Sequence, residues 1–340
     1  MKKSTLIISI VLTVVLGFAA LVLVAVLHDP APSNVGGPPT ADIIDTIEND
    51  PPPIVNDDPR PEIHGLLSYV EYGDNRAYIF GSMHVGRPDF FPLADVVEQA
   101  MRRADTFAFE YDLTLDETLE GIVMALYFMI LPDDETLATY LPPEAYAHLL
   151  AVLETFYYID YELVEYMRPA AIDTLMMYFE IAPALGVYAE YSVDEYVFEF
   201  AFDAGLPVLG LASMEHQLSL GFDLPHEVSV ASVMAMPNRN TLLAQTRSLV
   251  DAYVAQNINA LRALVTIDDD GSCLYNTYFV DIIMTQRTSE FAQEIDRLLR
   301  ETDEPTTFFI TIGIAHLLHG HGNAFEVLEE LGHTVNSLWR

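Results

Sequence analysis

Two segments near opposite ends of the chain share one order of parts, and that correspondence constrains the fold more than any other feature. Ala77-Tyr78-Ile79-Phe80-Gly81-Ser82-Met83-His84 and Phe309-Ile310-Thr311-Ile312-Gly313-Ile314-Ala315-His316 each run from an apolar stretch into Gly-x-x-His. Short apolar runs bounded by turn residues read as buried strands. Each is followed by a loop, a helix and another strand, which implies that the ends of the domain meet in one sheet. The fold expected is α/β (α+β): a central mixed sheet from two strand-GxxH-helix units at the two ends of the domain, a large helical insertion in the middle, and an N-terminal transmembrane helix.

The remaining pattern fits this frame. Residues 68–72 and 77–80 predict two strands joined by the turn Gly73-Asp74-Asn75, 93–103 a helix, and 106–111 a buried strand. Residues 114–200 are mostly helical in pattern, with breaks at Pro132, Pro142-Pro143, Pro169 and Pro183, and their aromatic residues at helical spacing read as packing. A helix over 196–204 ends at Gly205 before a strand over 207–211. Helices then run to about 300, followed by a strand over 308–312, a helix over 324–331 and a last strand over 334–338.

Met1-Lys2-Lys3 precedes an uncharged apolar run from Thr5 to Leu27, long enough to cross the ~30 Å hydrocarbon core as a helix. A cleavable signal has an apolar region of only about 7–15 residues followed by small ones, so an uncleaved anchor is expected. The two lysines put its N-terminal end in the cytoplasm. Prolines crowd residues 28–62 and make an extended tether. The chain thus divides into 1–27, a cytoplasmic tip and membrane anchor, 28–62, an acidic linker, and 63–340, an extracytoplasmic domain.

A net charge of −36 repels phosphate, so nucleic acid is not an expected partner and the membrane is met through the N-terminal helix alone. Beyond Lys3 there is no further lysine, which excludes Schiff-base chemistry in the exported part. Cys273 is the single cysteine, so neither an intramolecular disulfide nor a multi-cysteine zinc site exists, and a small buried hydrophobe is expected there.

In an α/β sheet, ligands bind beyond the carboxyl ends of the strands. A glycine directly after the strand gives a sharp exit, and a histidine three positions on can point over the strand ends. His84 and His316 on neighbouring strands can share a metal or act as a base and its partner. Glu110, at the end of the next strand, is a third group within reach, because a carboxylate in so apolar a run is costly to bury alone. Glu215 and His216 read as helix-start residues behind Ser213 as cap, and Asp268-Asp269-Asp270-Gly271-Ser272 as a solvated acidic turn, since Phe279 stands where a calcium loop needs glutamate.

Together, Phe80-Gly81-Ser82-Met83-His84-Val85-Gly86, Phe109-Glu110-Tyr111-Asp112, Leu209-Gly210-Leu211 with Glu215-His216-Gln217-Leu218, Arg287 ahead of Phe291-Ala292-Gln293-Glu294-Ile295, and Gly313-Ile314-Ala315-His316-Leu317 resemble the TraB/GumN family, which includes metalloproteases and pheromone-shutdown proteins. The ordered set covers about residues 65–338. The resemblance implies a hydrolase-like site of His84, His316, Glu110 and Arg287, with His84, Glu110 and His316 as ligands of a divalent metal, Mn²⁺, Co²⁺ or Zn²⁺. Such an ion would lower the pKa of its bound water, and Arg287, always protonated, would bind an oxyanion or a carboxylate.

Two positions depart from the family pattern: Ala212 replaces a glutamate after the Gly-Leu of the third strand, and Thr288 replaces an asparagine after the arginine. The expected function is a membrane-tethered extracytoplasmic hydrolase, a divalent-metal-dependent peptidase acting on peptides or surface proteins. The alternative is a catalytically weak module of the same fold that sequesters a peptide or signal.

Overall fold

The computed structural model describes residues 62–339 apart from 117, 133, 134, 160 and 268–270. The transmembrane helix and the tether expected ahead of residue 62 lie outside the described residues, as does Asp268-Asp269-Asp270. Among the described residues, no helix is long and apolar enough to cross a membrane.

Six strands among the described residues form one mixed sheet: β1 (Ser68–Tyr72), β2 (Asn75–Ser82), β3 (Thr106–Tyr111), β4 (Val208–Ala212), β5 (Thr307–Gly313) and β6 (Asn336–Ser337), in the order β4-β3-β5-β2-β1-β6. β4, β3, β5 and β2 are mutually parallel, and β1 runs antiparallel between β2 and β6. The two Gly-x-x-His strands are direct neighbours, with Ala77 opposite Phe308, Gly81 opposite Ile312 and Ser82 opposite Gly313. Continuous apolar sequence suits this position, because a central parallel strand is covered on both faces. On one face Phe309 packs against Phe80 and Phe107 at 5.7 and 5.6 Å between ring centroids, and Phe107 meets Phe200 of the helix Val193–Asp203 at 5.8 Å. The helix Arg287–Glu301 packs on β1, β2 and β4, and it buries Phe291, Ala292, Ile295, Leu298 and Leu299, a stripe at helical spacing.

The insertion has a core of its own. Leu149, Ile172, Met176 and Val233 pack together, from Pro143–Leu153, Pro169–Met176 and His226–Ala235. The helical pattern breaks as expected at Pro142-Pro143 and at Pro169, where Pro143 and Pro169 start new helices because a missing N–H costs nothing in the first turn. Pro183 makes no break and lies inside a continuous helical run from Pro169 to Ala184. Not every aromatic packs: Tyr127, Tyr157 and Tyr158 are more than 70% exposed.

Other expectations also need correction. The first hairpin closes over Gly73-Asp74 alone, because Asn75 is already in β2, paired with Tyr72. Cys273 is half-buried ahead of the helix Leu274–Tyr278. Gly81 lies inside β2 rather than beyond it. It is there for close approach: an added Cβ would come within 2.8 Å of the Gly65 carbonyl oxygen and 2.9 Å of Ile314 Cγ1. The segment after β5 is a short helix, Ile314–Leu318, rather than a loop, and His316 is in its middle.

The buried Asn75 side chain ties the first hairpin to β5. Its Nδ2 donates to the carbonyls of Leu299 and Thr302 at 2.9 and 2.8 Å, and its Oδ1 accepts the Thr306 N–H at 2.8 Å. Asn75→Ala leaves these backbone groups unsatisfied and is expected to lower unfolding stability in urea by about 2 kcal/mol or more. A loss below about 0.5 kcal/mol, the level of an ordinary surface change, would refute this clasp.

Candidate active site

The carboxyl ends of β2, β3 and β5 lie side by side, and the predicted site residues gather there. Phe107 and Phe109 of β3 turn to the helix Val193–Asp203, which by strand alternation sends Glu110 to the opposite face. The Glu110 side chain is buried and each of its oxygens accepts one hydrogen bond: Oε1 takes the Gly313 N–H at 2.8 Å and Oε2 accepts from Gln217 Nε2 at 3.2 Å. His316 Nε2 stands 3.8 Å from Glu110 Oε1. A Cβ on Gly313 would meet Glu110 Oε1 at 3.2 Å, His84 Nε2 at 3.5 Å and His316 Cδ2 at 3.7 Å. Three functional side chains thus converge on this glycine, and Glu110 is the one that an added side chain would crowd.

The two histidines differ in protonation. His84 Nδ1 lies 2.9 Å from Asp194 Oδ2, and the Asp194 charge raises the imidazole to about 9 against the opposing effect of burial, with Glu110 adding to the rise. Water reaches 56% of the His84 side chain, so screening weakens the pair. Burial pushes the Asp194 carboxyl up, but the His84 charge and hydrogen bond, with Ser82, outweigh it and leave Asp194 below its ordinary range. His316 goes the other way: burial lowers its pKa, Glu110 opposes this, and Arg287 and His84 reinforce it. Thr288 Oγ1 donates to the Met284 carbonyl at 2.6 Å and lies 2.6 Å from His316 Nδ1. A hydroxyl has one proton, so this pattern assigns the imidazole proton to Nδ1 and leaves a lone pair on Nε2, towards Glu110.

Arg287 is buried under the same strand ends. Its Nη2 donates to Gln217 Oε1 and to the Glu110 carbonyl, its guanidinium lies over the Phe291 ring at 4.4 Å, and Phe291 meets the His316 ring edge-on at 5.2 Å. Its Nη1 makes no hydrogen bond and is 3.9 Å from Glu290 Oε2. Glu110, Gln217, Arg287 and His316 form the polar wall of a cleft of about 170 Å³. Ser213 caps its helix as expected, accepting from the His216 N–H, and His216 pairs with Glu290 at 2.8 Å. Ala212 ends β4 opposite Tyr111.

The divalent ion implied by the resemblance would need three donors together. Among the described residues, no group of three His, Cys, Asp or Glu is arranged to hold a metal. Glu110 Oε1 and His316 Nε2 face each other as two acceptors, and the Asp194 contact at His84 Nδ1 leaves His84 Nε2 as the atom that would complete a set.

Asp194, Gln217 and Thr288 were not singled out as site residues from the sequence. Asp194 follows the cap Ser192 in a helix's first turn, where any acidic residue is at home. Thr288 is a replacement in the family pattern, yet it is the residue that orients His316.

A parallel-centred sheet with paired Gly-x-x-His histidines and a buried glutamate at its carboxyl edge defines the class. A model of the TraB/PrgY/gumN family matches residues 66–337, and the chain belongs to that family. It is similar to the uncharacterized protein YbaP of Shigella flexneri and to that of Escherichia coli (strain K12), at 22% identity over 266 residues in both cases, covering 75% of this chain and 89% of each relative. No solved structure matches the chain.

The His84–Asp194 pair generates a titration. His84 is raised, so its contribution to stability is complete below its ordinary 6.5 and is lost as pH rises through about 9. Asp194 is lowered, so its contribution is present above 3.8 and is lost as pH falls through its folded value. Asp194→Asn is expected to return His84 to about 6.5 in an NMR titration of the imidazole. A value still near 9 in the variant would assign the shift to another group.

Proposed function

We propose that this chain is an extracytoplasmic hydrolase of peptide bonds, tethered to the membrane by its N-terminal apolar run. The observation that carries the reading is the convergence of Glu110, His84 and His316 on Gly313 at the carboxyl ends of three adjacent strands. Two histidines driven to opposite protonation states suit an acid and a base working together. A water between Glu110 Oε1 and His316 Nε2 gives a proton to His316 as its oxygen attacks the carbonyl carbon. The carbonyl electrons move to oxygen, and the free Arg287 Nη1–H stabilises that charge. His84 then donates its Nε2 proton to the leaving amine as the C–N bond breaks.

A binding module of the same fold is the second reading. It is favoured by Ala212, where a carboxylate is missing, and by Glu110, whose two oxygens already accept hydrogen bonds. Peptide hydrolysis by the full chain, with added Mn²⁺, Co²⁺ or Zn²⁺ and with chelator, separates the two. His84→Ala and His316→Ala are each expected to lower kcat/KM by about 10²- to 10⁴-fold. The rate should fall at low pH as His316 takes a proton and at high pH as His84 loses one near 9. Cleavage indifferent to both substitutions sinks the site, and binding without cleavage in any medium selects the module.

A further inference from the structure

The cleft that exposes Glu110, Arg287 and His316 has a second wall that the chemistry above does not use. Leu220, Leu224, Tyr275, Phe279 and Ile283 line it. Three of them, with Arg287, follow at steps of four: Tyr275, Phe279, Ile283, Arg287. The first belongs to Leu274–Tyr278, the next two to the π-helical segment Phe279–Gln286, and the last to Arg287–Glu301. The wider π turn, common at functional sites, keeps these steps on one face, so a single helical run presents an apolar strip that ends in the guanidinium.

Gly221, on the facing helix Met214–Phe222, also lines the cleft. A Cβ added there meets nothing within 4 Å, and its φ is not in the left-handed region. Neither strain nor crowding calls for glycine here. The missing side chain leaves the rim of the cleft open.

We infer that this cleft is the substrate's side-chain pocket, taking one leucine-, methionine- or phenylalanine-sized group beside the bond presented to Glu110 and His316. Its volume of about 170 Å³ sets the size. A dry cavity of about 150 Å³ holds a benzene ring, so a branched aliphatic or a phenyl group fits, while an indole is too large. The apolar wall favours an uncharged side chain, the charged groups of the cleft being those assigned to the reaction. This inference rests on the hydrolase reading for the word substrate, but binding tests it without turnover.

The test uses the full chain in lipid nanodiscs and ligand-observed NMR with N-acetyl amides of alanine, leucine, phenylalanine and tryptophan. Leucine and phenylalanine amides are expected to bind about tenfold or more tightly than the alanine amide. Gly221→Phe should remove that preference while leaving the His84 titration unchanged, and Ile283→Ala should admit the tryptophan amide. Equal binding of alanine and leucine amides, or a preference that survives Gly221→Phe, overturns the pocket. Selective binding with no cleavage of any leucine-containing peptide overturns the hydrolase reading alone. Cleavage without side-chain preference overturns the pocket alone.

Discussion

The parallel ladder between β2 and β5 is the contact on which the rest of the molecule depends. It places Ser82 opposite Gly313, and thereby sets His84 and His316 over one edge of one sheet although they come from opposite ends of the domain. Loop-closure cost rises slowly with length, about 0.6 kcal/mol per doubling, so a long insertion between the two strands burdens the pairing little if it can fold on its own apolar contacts. The cluster around Leu149, Ile172 and Val233 supplies those contacts. Asn75 strengthens the ladder where it begins, by bonding the backbone on both sides of the turn into β5.

Where that ladder ends, backbone and side chains share the work. The Gly313 N–H, past the last β3–β5 pair of Phe109 and Thr311, is taken by the Glu110 carboxylate, so the group that closes the sheet also fixes the site. A carboxylate this buried is tolerable because it accepts from Gly313 and Gln217 and lies near the Arg287 charge. The same economy explains the two histidines: Asp194 holds one ring and Thr288 the other, each through Nδ1, so both present Nε2 to the common space.

Much of this was legible in the sequence because its signals are local or repeated. The run Ala77 to Phe80 and its counterpart before Gly313 announced neighbouring strands, and a lone glutamate in Phe107-Ala108-Phe109-Glu110 announced a satisfied buried charge. What stayed hidden depends on three-dimensional proximity. Asp194 has the sequence context of any helix-start acid, and only folding brings it to a histidine 110 positions away. The role of Gly81 was misread for a related reason: its constraint comes from Gly65 and Ile314, not from the chain direction at Gly81 itself. The short helix around His316 gave no periodicity to detect, since a single turn and a half has none.

The π-helical segment ahead of Arg287 has a consequence for which changes this chain can tolerate. A π turn holds one residue more than the α ladder on either side, and one residue corresponds to about 100° of helical rotation. Deleting any single residue within Phe279–Gln286 would restore a regular ladder and swing Tyr275 and its neighbours away from the direction in which Arg287 points. Substitutions along the segment alter the lining of the cleft, but a change of length alters its aim. The number of residues here is therefore held more tightly than their identity.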